Sequence, residues 1–175
     1  MLTDFKNLTH VVLVRLSALG DVTLMVPVVR AMQRHYPQVK ISWIISRAPY
    51  SLVKGLSGVN FIVIDKPNSV RDYWRLKKQL ANYRFDVLLA AQASLRANVM
   101  YPFIKAPLKI GFDKTRARDG HGLFINRRID FKEEHLLDGF MRFAAALGVN
   151  DLSLQWDLPI EQKHRDWAAN AQQRA

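Results

Sequence analysis

The stretch Val11-Val12-Leu13-Val14-Arg15-Leu16-Ser17-Ala18-Leu19-Gly20-Asp21 decides the fold of this chain. It starts as a continuous apolar run of strand length and ends on a glycine and an aspartate, directly before a segment of helical period. A short apolar run without alternation is typical of a strand that helices cover on both faces. The sequence therefore predicts a strand, a tight loop and a crossover helix here.

The same rhythm repeats along the chain. Strand-sized apolar runs alternate with amphipathic segments, which predicts an α/β fold with a Rossmann-like, doubly wound parallel sheet. The predicted strands are residues 11–16, 39–45, 61–64, 87–91 and 108–110, and the predicted helices are residues 22–36, 71–83, 94–104 and 135–147.

Two of these helices carry details that the structure can test. In the first, Arg30 is expected to point away from the apolar stripe, and Pro27 lies beyond the first turn, so the helix either starts late or kinks. In residues 71–83, the basic side chains are interpreted as solvent-facing, and Trp74 on the opposite side is explained by core packing.

Composition limits the class of protein. The chain has 175 residues, 49% of them hydrophobic, which is enough for one buried core. It holds no cysteine, which excludes disulfides, thiolate metal sites and a cysteine nucleophile. Its first residues lack the pattern of a signal peptide, and no apolar run approaches the roughly 20 residues of a membrane span. We expect a protein that is not secreted and is soluble or peripheral to a membrane.

The chain is strongly basic, with a net charge of +11. Such a charge indicates an anionic partner, which is a nucleic acid, an anionic membrane surface, or a substrate with phosphates or carboxylates. Charge alone does not choose among them, and a basic surface that only aids solubility is a further alternative.

Polar residues gather where ligands bind in open parallel sheets, beyond the carboxyl ends of the strands. The predicted loops contain Asp21, Arg47, Lys66, Gln92 and a long basic segment at residues 111–128. The first loop has neither the three glycines of a dinucleotide fingerprint nor the Gly-Lys-Ser/Thr of a P-loop, which disfavours ordinary NAD and ATP sites.

Asp21 has two interpretations from local sequence. It is a helix N-cap, a position that favours aspartate, or it is a general base. A free aspartate is a weak base at neutral pH, so the second role needs burial or exclusion of water.

The other polar candidates also have two interpretations each. Arg15, at the end of a buried strand, forms a structural ion pair or binds an anion. Arg96 near a helix start opposes the helix dipole unless an anion lies there, and Gln92 either binds a ligand or hydrogen-bonds a neighbouring loop. The last three candidates either bind an anionic ligand or have a structural or solvated role: Arg116, Arg118 and His135.

Several ordered motifs together resemble the bacterial heptosyltransferases of lipopolysaccharide core assembly, glycosyltransferase family nine. They are the run from Val11 to Val22 with Pro27 after it, Asp86-Val87-Leu88-Leu89-Ala90-Ala91-Gln92, Lys109-Ile110-Gly111-Phe112-Asp113, and His135 leading into Arg142-Phe143-Ala144-Ala145-Ala146-Leu147-Gly148. The likeness covers roughly residues 10–150. One departure is Ala93, where family members often have glycine.

This resemblance implies the N-terminal half of a GT-B enzyme. Residues 1–150 would be the acceptor-binding domain and residues 151–175 the start of an interdomain linker, with a C-terminal donor domain expected as partner. The implied reaction is the inverting transfer of a heptose from ADP-heptose to a Kdo-bearing lipid A or core oligosaccharide, with no metal and no cofactor besides the donor substrate. The implied location is cytoplasmic, at the inner face of the bacterial inner membrane.

The resemblance also assigns roles to residues. Asp21 matches the proposed catalytic base, and Arg15, Ser17 and Gly20 would lie at the donor–acceptor junction. Arg96, Arg118 and His135 match positions of the acceptor surface, and Gln92 and Arg116 are further candidates for binding the substrate. Two rival functions stay open here, namely a truncated non-catalytic module that binds an anionic glycolipid, and a nucleic-acid-binding protein, which the position of the aromatics in apolar segments disfavours.

Overall fold

The computed structural model describes residues 5–172, and its centre is a six-stranded sheet in which every strand pair is parallel. The strand order is β3-β2-β1-β4-β5-β6. The strands are β1 (His10–Val14), β2 (Lys40–Ser46), β3 (Val59–Ile64), β4 (Val87–Ala90), β5 (Leu108–Gly111) and β6 (Arg127–Arg128). The predicted doubly wound α/β fold is confirmed.

Helices cover both faces of this sheet. They are α1 (Leu19–His35), α2 (Arg47–Val53), α3 (Val70–Gln79), α4 (Leu95–Asn98), α5 (Leu136–Ala145) and α6 (Gln162–Gln172), with short 3₁₀ turns at Phe5–Asn7, Tyr101–Phe103 and His121–Leu123. Alternate residues of β1 point to opposite sides: Leu13 joins the core under α1 and α5, whereas Val12 joins the core under α3 and α4. Burial on both faces explains why the central strands are apolar throughout.

Helix α1 accommodates Pro27 without starting late. It begins at Leu19, and Pro27 lies inside it and is buried. Proline has no N–H for the carbonyl four residues earlier, which here belongs to Thr23. Trp156 Nε1 donates a hydrogen bond to that carbonyl at 2.9 Å, so the acceptor that proline leaves free is satisfied from a distant segment.

The segment after residue 150 packs back onto this helix. Arg30, expected to point away from the core, is only 8% exposed, and its Nε lies 2.6 Å from Asp157 Oδ1. Arg34 pairs with Asp151 at 3.2 Å along the same side. The expectation for Arg30 was wrong because its partner lies 127 residues away in the chain.

Other differences from the predicted elements are local. Helix α2 and strand β6 were not predicted, and residues 94–104 form the short helix α4 and a 3₁₀ turn in place of one helix. Trp74 is 64% exposed, so core packing does not explain it, whereas Trp43 is fully buried. Within residues 5–172, none of the helices has the length and apolarity needed to traverse a bilayer.

Candidate functional site

The carboxyl ends of β1 and β4 form the topological switch point of the sheet, where chain connections leave in opposite directions. Ligands of open α/β sheets bind at this position. Arg15 and Gln92 follow these two strands, and Asp21 lies in the first turn of α1. The fold therefore brings three of the predicted site residues to one place.

An ion pair between Arg15 and Asp21 occupies the switch point. Arg15 Nη2 donates to Asp21 Oδ2, and Arg15 Nη1 donates to the carbonyl of Ala91 at 2.6 Å. The Arg15 guanidinium carbon lies 5.1 Å from the ring centroid of Phe140. Burial lowers the pKa of Arg15 from its usual value, while the charge of Asp21 raises it. The side chains are 12% and 27% exposed, respectively, so only the carboxylate meets solvent appreciably.

Asp21 is not the N-cap of α1. Ala18 holds that position and Asp21 is the third residue of the helix, where its Oδ2 accepts a hydrogen bond from the Ala18 N–H at 3.2 Å. Both hydrogen bonds described for Asp21, from Ala18 and Arg15, end on the same oxygen. Among residues 5–172 the carboxylate is thus held through Oδ2, and no described hydrogen bond ends on Oδ1.

Neighbouring strands fix the loop between β1 and α1. The Leu16 N–H donates to Gln92 Oε1 at 2.6 Å, and the Leu16 carbonyl accepts from the Ser46 hydroxyl. Trp43 Nε1 donates to the Arg15 carbonyl at 3.2 Å. Gln92 is therefore held at both its side chain and its backbone, since its backbone carbonyl also accepts a hydrogen bond from the Tyr101 hydroxyl. Side chains from β2 and the end of β4 therefore hold the loop that presents Ser17.

A groove adjoins this loop. Two neighbouring cavities of about 490 and 630 Å³ share Ser17, Lys66 and Asn68. The first cavity is also lined by Gln92 and Arg96, and the second by Arg47, among others. Gly20 lies at the start of α1, and a Cβ built there would meet nothing within 4 Å. The groove is lined by both polar and apolar side chains, and its charged side chains are mainly basic.

A buried hydrogen-bond network attaches the basic segment to α4. Asn98 is fully buried, and its Nδ2 donates to the carbonyls of Arg118 and Asp119 at 3.0 and 2.9 Å. Asn98 Oδ1 accepts from His121 Nδ1 at 2.8 Å, and His121 Nε2 accepts from the Phe112 N–H at 3.2 Å. All three hydrogen-bonding groups of Asn98 are used. The network places the Arg118 backbone against the helix that carries Arg96.

Two further predicted site residues, Arg116 and His135, make structural contacts away from the switch point. Arg116 forms an ion pair with Asp113, and its guanidinium lies 5.5 Å and 5.9 Å from the ring centroids of Phe112 and Phe131. His135 is the N-cap of α5, where its Nδ1 accepts from the Leu137 N–H at 3.2 Å. Arg96 and Arg118, in contrast, are exposed.

His121 should make stability depend on pH. Burial lowers the pKa of His121 to about 4, and Arg128 acts in the same direction. An unfolded histidine binds its proton near pH 6.5, so between pH 6.5 and 4 the unfolded chain holds one more proton and stability rises with pH. As the pH is lowered from 6.5 to 4, we expect the unfolding free energy to fall by about 3 kcal/mol because of His121.

Chemical denaturation of the 175-residue chain between pH 7 and 4.5 measures this effect. The His121→Gln variant should lose that part of the acid dependence, while His164→Gln, which removes an exposed histidine, serves as the control. Equal acid dependence in wild type and His121→Gln would contradict the assignment.

Comparison with known proteins decides the family. The profile of glycosyltransferase family 9 (heptosyltransferase) matches residues 73–175. A curated relative, the "Lipopolysaccharide core heptosyltransferase OpsX" of Haemophilus influenzae, is 41% identical over 151 residues, which cover 86% of this chain. The chain belongs to glycosyltransferase family 9. It spans 44% of the length of that relative.

Solved structures of this family share the fold. A family 9 glycosyltransferase from Veillonella parvula matches with a TM-score of 0.76 and 21% identity, over 92% of this chain and 47% of that one. The Escherichia coli heptosyltransferase WaaC, solved with ADP-2-deoxy-2-fluoro heptose, matches with a TM-score of 0.72 and 22% identity, over 85% of this chain and 51% of that one. In each case this family 9 chain corresponds to about half of the matched chain.

Sequence reasoning missed part of this site. Lys66 and Arg47 are not among the predicted site residues, although both line the groove. Arg47 directly follows β2 and Lys66 is the second residue after β3. Asn98 was not singled out either. A lone asparagine among the apolar residues of the predicted helix at 94–104 was the signal that could have found it.

Proposed function

We propose that this chain is the acceptor-binding domain of an inverting heptosyltransferase that acts on the lipopolysaccharide inner core. The observation that carries the proposal is the Asp21 carboxylate at the switch point of the sheet, held through one oxygen. The loop that precedes it lines, through Ser17, a groove whose cations are Lys66, Arg96 and Arg47. Support also comes from the family and from the relatives, one described as a lipopolysaccharide core heptosyltransferase and one solved with an ADP-heptose analogue.

In the proposed reaction, Asp21 is the catalytic base. Its Oδ1 accepts the proton of the acceptor hydroxyl, whose oxygen then bonds to the anomeric carbon of the heptose. The bond from that carbon to the β-phosphate oxygen breaks, ADP leaves, and the anomeric configuration inverts. Arg15 orients the carboxylate through Oδ2, which supports the near-attack geometry that such a transfer needs.

The donor would be bound by a second domain. Since the chain spans less than half of its curated relative, we propose that residues 1–150 are the acceptor domain and that residues 151–175 lead to a C-terminal donor domain for ADP-heptose. We propose no metal and no cofactor besides the nucleotide sugar. In the full-length protein the two domains would face each other across the switch point.

The acceptor would lie in the groove between Ser17 and Arg96. Kdo carboxylates and core phosphates are anions, and guanidinium groups bind such anions with paired hydrogen bonds. We propose that Gly20 lies close to the bound acceptor, because glycine disfavours a helix by about 1 kcal/mol relative to alanine and a Cβ built here would meet no atom within 4 Å. The open space above Gly20 leaves room for a sugar to approach the backbone. Gln92 would keep the loop of Ser17 in place under the ligand.

We propose that Arg118, Arg116 and His135 extend this acceptor surface. The protein would act in the cytoplasm, at the inner face of the inner membrane, where a Kdo–lipid A acceptor presents its sugars. Nucleic acid is not a proposed partner.

The two arginines of the basic segment should respond differently to substitution. Arg118→Gln should weaken binding of a Kdo–lipid A analogue by about 10-fold to 100-fold, the range for a hydrogen bond to a charged group, without lowering stability. Arg116→Gln should weaken binding and also lower the unfolding free energy by about 1–3 kcal/mol, because it removes the partner of the 7% exposed Asp113.

Isothermal titration calorimetry of the chain with the Kdo–lipid A analogue, and separately with ADP, measures the binding. Urea denaturation of the same variants measures the unfolding free energy. The chain should bind the acceptor analogue and hardly bind ADP. Lys40→Gln is the control variant, because it removes an exposed cation at the amino-terminal end of β2, away from the carboxyl ends of the strands. Tight ADP binding by this chain, or unchanged acceptor affinity in both arginine variants, would overturn the assignment of the groove.

A further inference from the structure

Helix α3 presents an unusual outer surface. Of its ten residues only Leu76 is buried. Val70 is 75% exposed and Trp74 is 64% exposed, although both are apolar. Single exposed apolar residues are common, but Val70 and Trp74 lie one helical turn apart on the same side of α3, and the core does not explain their exposure.

Cations surround this tryptophan. A depression of about 460 Å³ is lined by Arg71, Trp74, Arg75, Lys77, Lys78 and Ala81, and we call this surface the α3 face. Two further cations border it, since Arg84 Nη1 and Lys105 Nζ both donate to the Ala81 carbonyl, at 3.0 and 2.8 Å.

The acidic residue of the same helix neutralises little of this charge. Asp72 accepts hydrogen bonds from the N–H groups of Asn68 and Ser69 at the start of α3, and it lies 3.5 Å from one of the cations, Arg75. The α3 face therefore keeps a strong positive charge around an exposed indole.

We propose that the α3 face binds the surface of an anionic bilayer. Lysine and arginine side chains attract anionic headgroups, and tryptophan prefers the headgroup region, where its ring is partly buried and its N–H stays hydrated. Both kinds of side chain are present on one face of one short helix, with Lys77 Nζ 4.9 Å from the ring centroid of Trp74.

Two other occupants fit these observations less well. A nucleic acid would stack a base on the indole, but the Lys77 ammonium already lies over that ring. A second copy of this chain would bring the same cluster of cations face to face, which opposes a symmetric contact.

The α3 face also has a useful position relative to the groove. Tyr73 lines the groove of about 490 Å³, while the next residue, Trp74, belongs to the α3 face. Binding of the bilayer by α3 would therefore hold the groove beside the headgroups. This part of the inference rests on the proposed function, because it matters only if the acceptor is membrane-embedded.

Vesicle binding by the full-length protein tests the inference. Vesicles of phosphatidylcholine with 30 mol% phosphatidylglycerol, free of lipopolysaccharide, should bind the protein at 0.1 M salt, and pure phosphatidylcholine vesicles should not. Lys77→Gln with Lys78→Gln should weaken binding about 30-fold, since each cation near such a surface contributes roughly a factor of five. Trp74→Gln should abolish the blue shift of tryptophan fluorescence that anionic vesicles cause.

A matched control removes the same charge elsewhere. The exposed pair Lys40→Gln with Lys132→Gln should change vesicle affinity less than about 3-fold, because these cations are not on α3. An equal loss in both double variants would show that only net charge matters and would overturn the proposal. So would the absence of vesicle binding, tighter binding to single-stranded DNA that the α3 variants abolish, or a dimer that Trp74→Gln dissociates.

Transfer assays separate this inference from the proposed function. The Lys77→Gln, Lys78→Gln variant should keep wild-type transfer to a water-soluble, deacylated acceptor and lose transfer to acceptor embedded in anionic vesicles. Transfer that is absent from the wild-type protein with both acceptors would contradict the proposed function while the vesicle-binding result still stands. Equal transfer by wild type and variant to the embedded acceptor would overturn the role of the α3 face.

Discussion

Replacing Asp21 with asparagine in the full-length protein is expected to reduce heptose transfer by about 100-fold to 10,000-fold, the range for loss of a general base. Asparagine keeps the size of the side chain and an oxygen that accepts from Arg15, so the loop and the groove should keep their shape. Affinity for the acceptor should consequently change by less than a few fold. A loss confined to turnover is what a group acting only in the transition state produces.

Asp72→Asn is the matched control for this variant. Asp72 is the third residue of α3, as Asp21 is of α1, and it too accepts a hydrogen bond from the N-cap backbone. The two substitutions therefore remove the same helix-terminal charge, and only one lies at the switch point. With a soluble acceptor, Asp72→Asn should retain wild-type turnover. Turnover like the wild type in Asp21→Asn would exclude Asp21 as the base.

The second large effect concerns stability. Removing Asp21 by alanine substitution leaves the 12% exposed Arg15 with an uncompensated charge, which we expect to lower the unfolding free energy by about 3 kcal/mol. Arg15→Met should cost less, about 1–2 kcal/mol, because water can hydrate the more exposed carboxylate. The double variant should be more stable than the sum of both losses predicts, by at least about 1 kcal/mol.

Urea denaturation of the four chains gives this coupling energy. The exposed pair of Arg47 and Asp65, whose side chains are 77% and 83% exposed, is the control cycle and should couple by no more than about 0.5 kcal/mol. At 0.5 M salt the control coupling should vanish while the buried coupling persists, since solvent ions screen exposed pairs most. Additive losses for Arg15 and Asp21 would mean that the ion pair contributes no stability.

The strands were the most predictable part of this protein. The first five were predicted within two residues at each end, because burial on both faces leaves a continuous apolar run that is hard to mistake. Strand β6 consists of Arg127 and Arg128 at the sheet edge, and two arginines carry no apolar signal. Helix α2 follows β2 without an intervening loop, so no turn residues marked its start.

The candidate site was predictable in position and less so in its contacts. Placing Arg15, Asp21 and Gln92 at the carboxyl edge of the sheet needed only the order of strands and loops. Their partners needed the folded chain: Gln92 bonds to the Leu16 N–H, 76 residues away, and Arg15 bonds to the Ala91 carbonyl at the same separation. The roles predicted for these residues in transfer stay predictions that the variants above would test.

By itself the sequence determined the parallel sheet and the edge at which polar residues collect, because apolar runs and helical periods are local signals. Only the tertiary structure decided which charges are engaged and which are free. Arg30 is neutralised by Asp157, Arg116 pairs with Asp113 near two aromatic rings, and Trp74 stays exposed among cations. Burial and ion pairing depend on which distant segments meet in space, and that information is not contained in any single stretch of the chain.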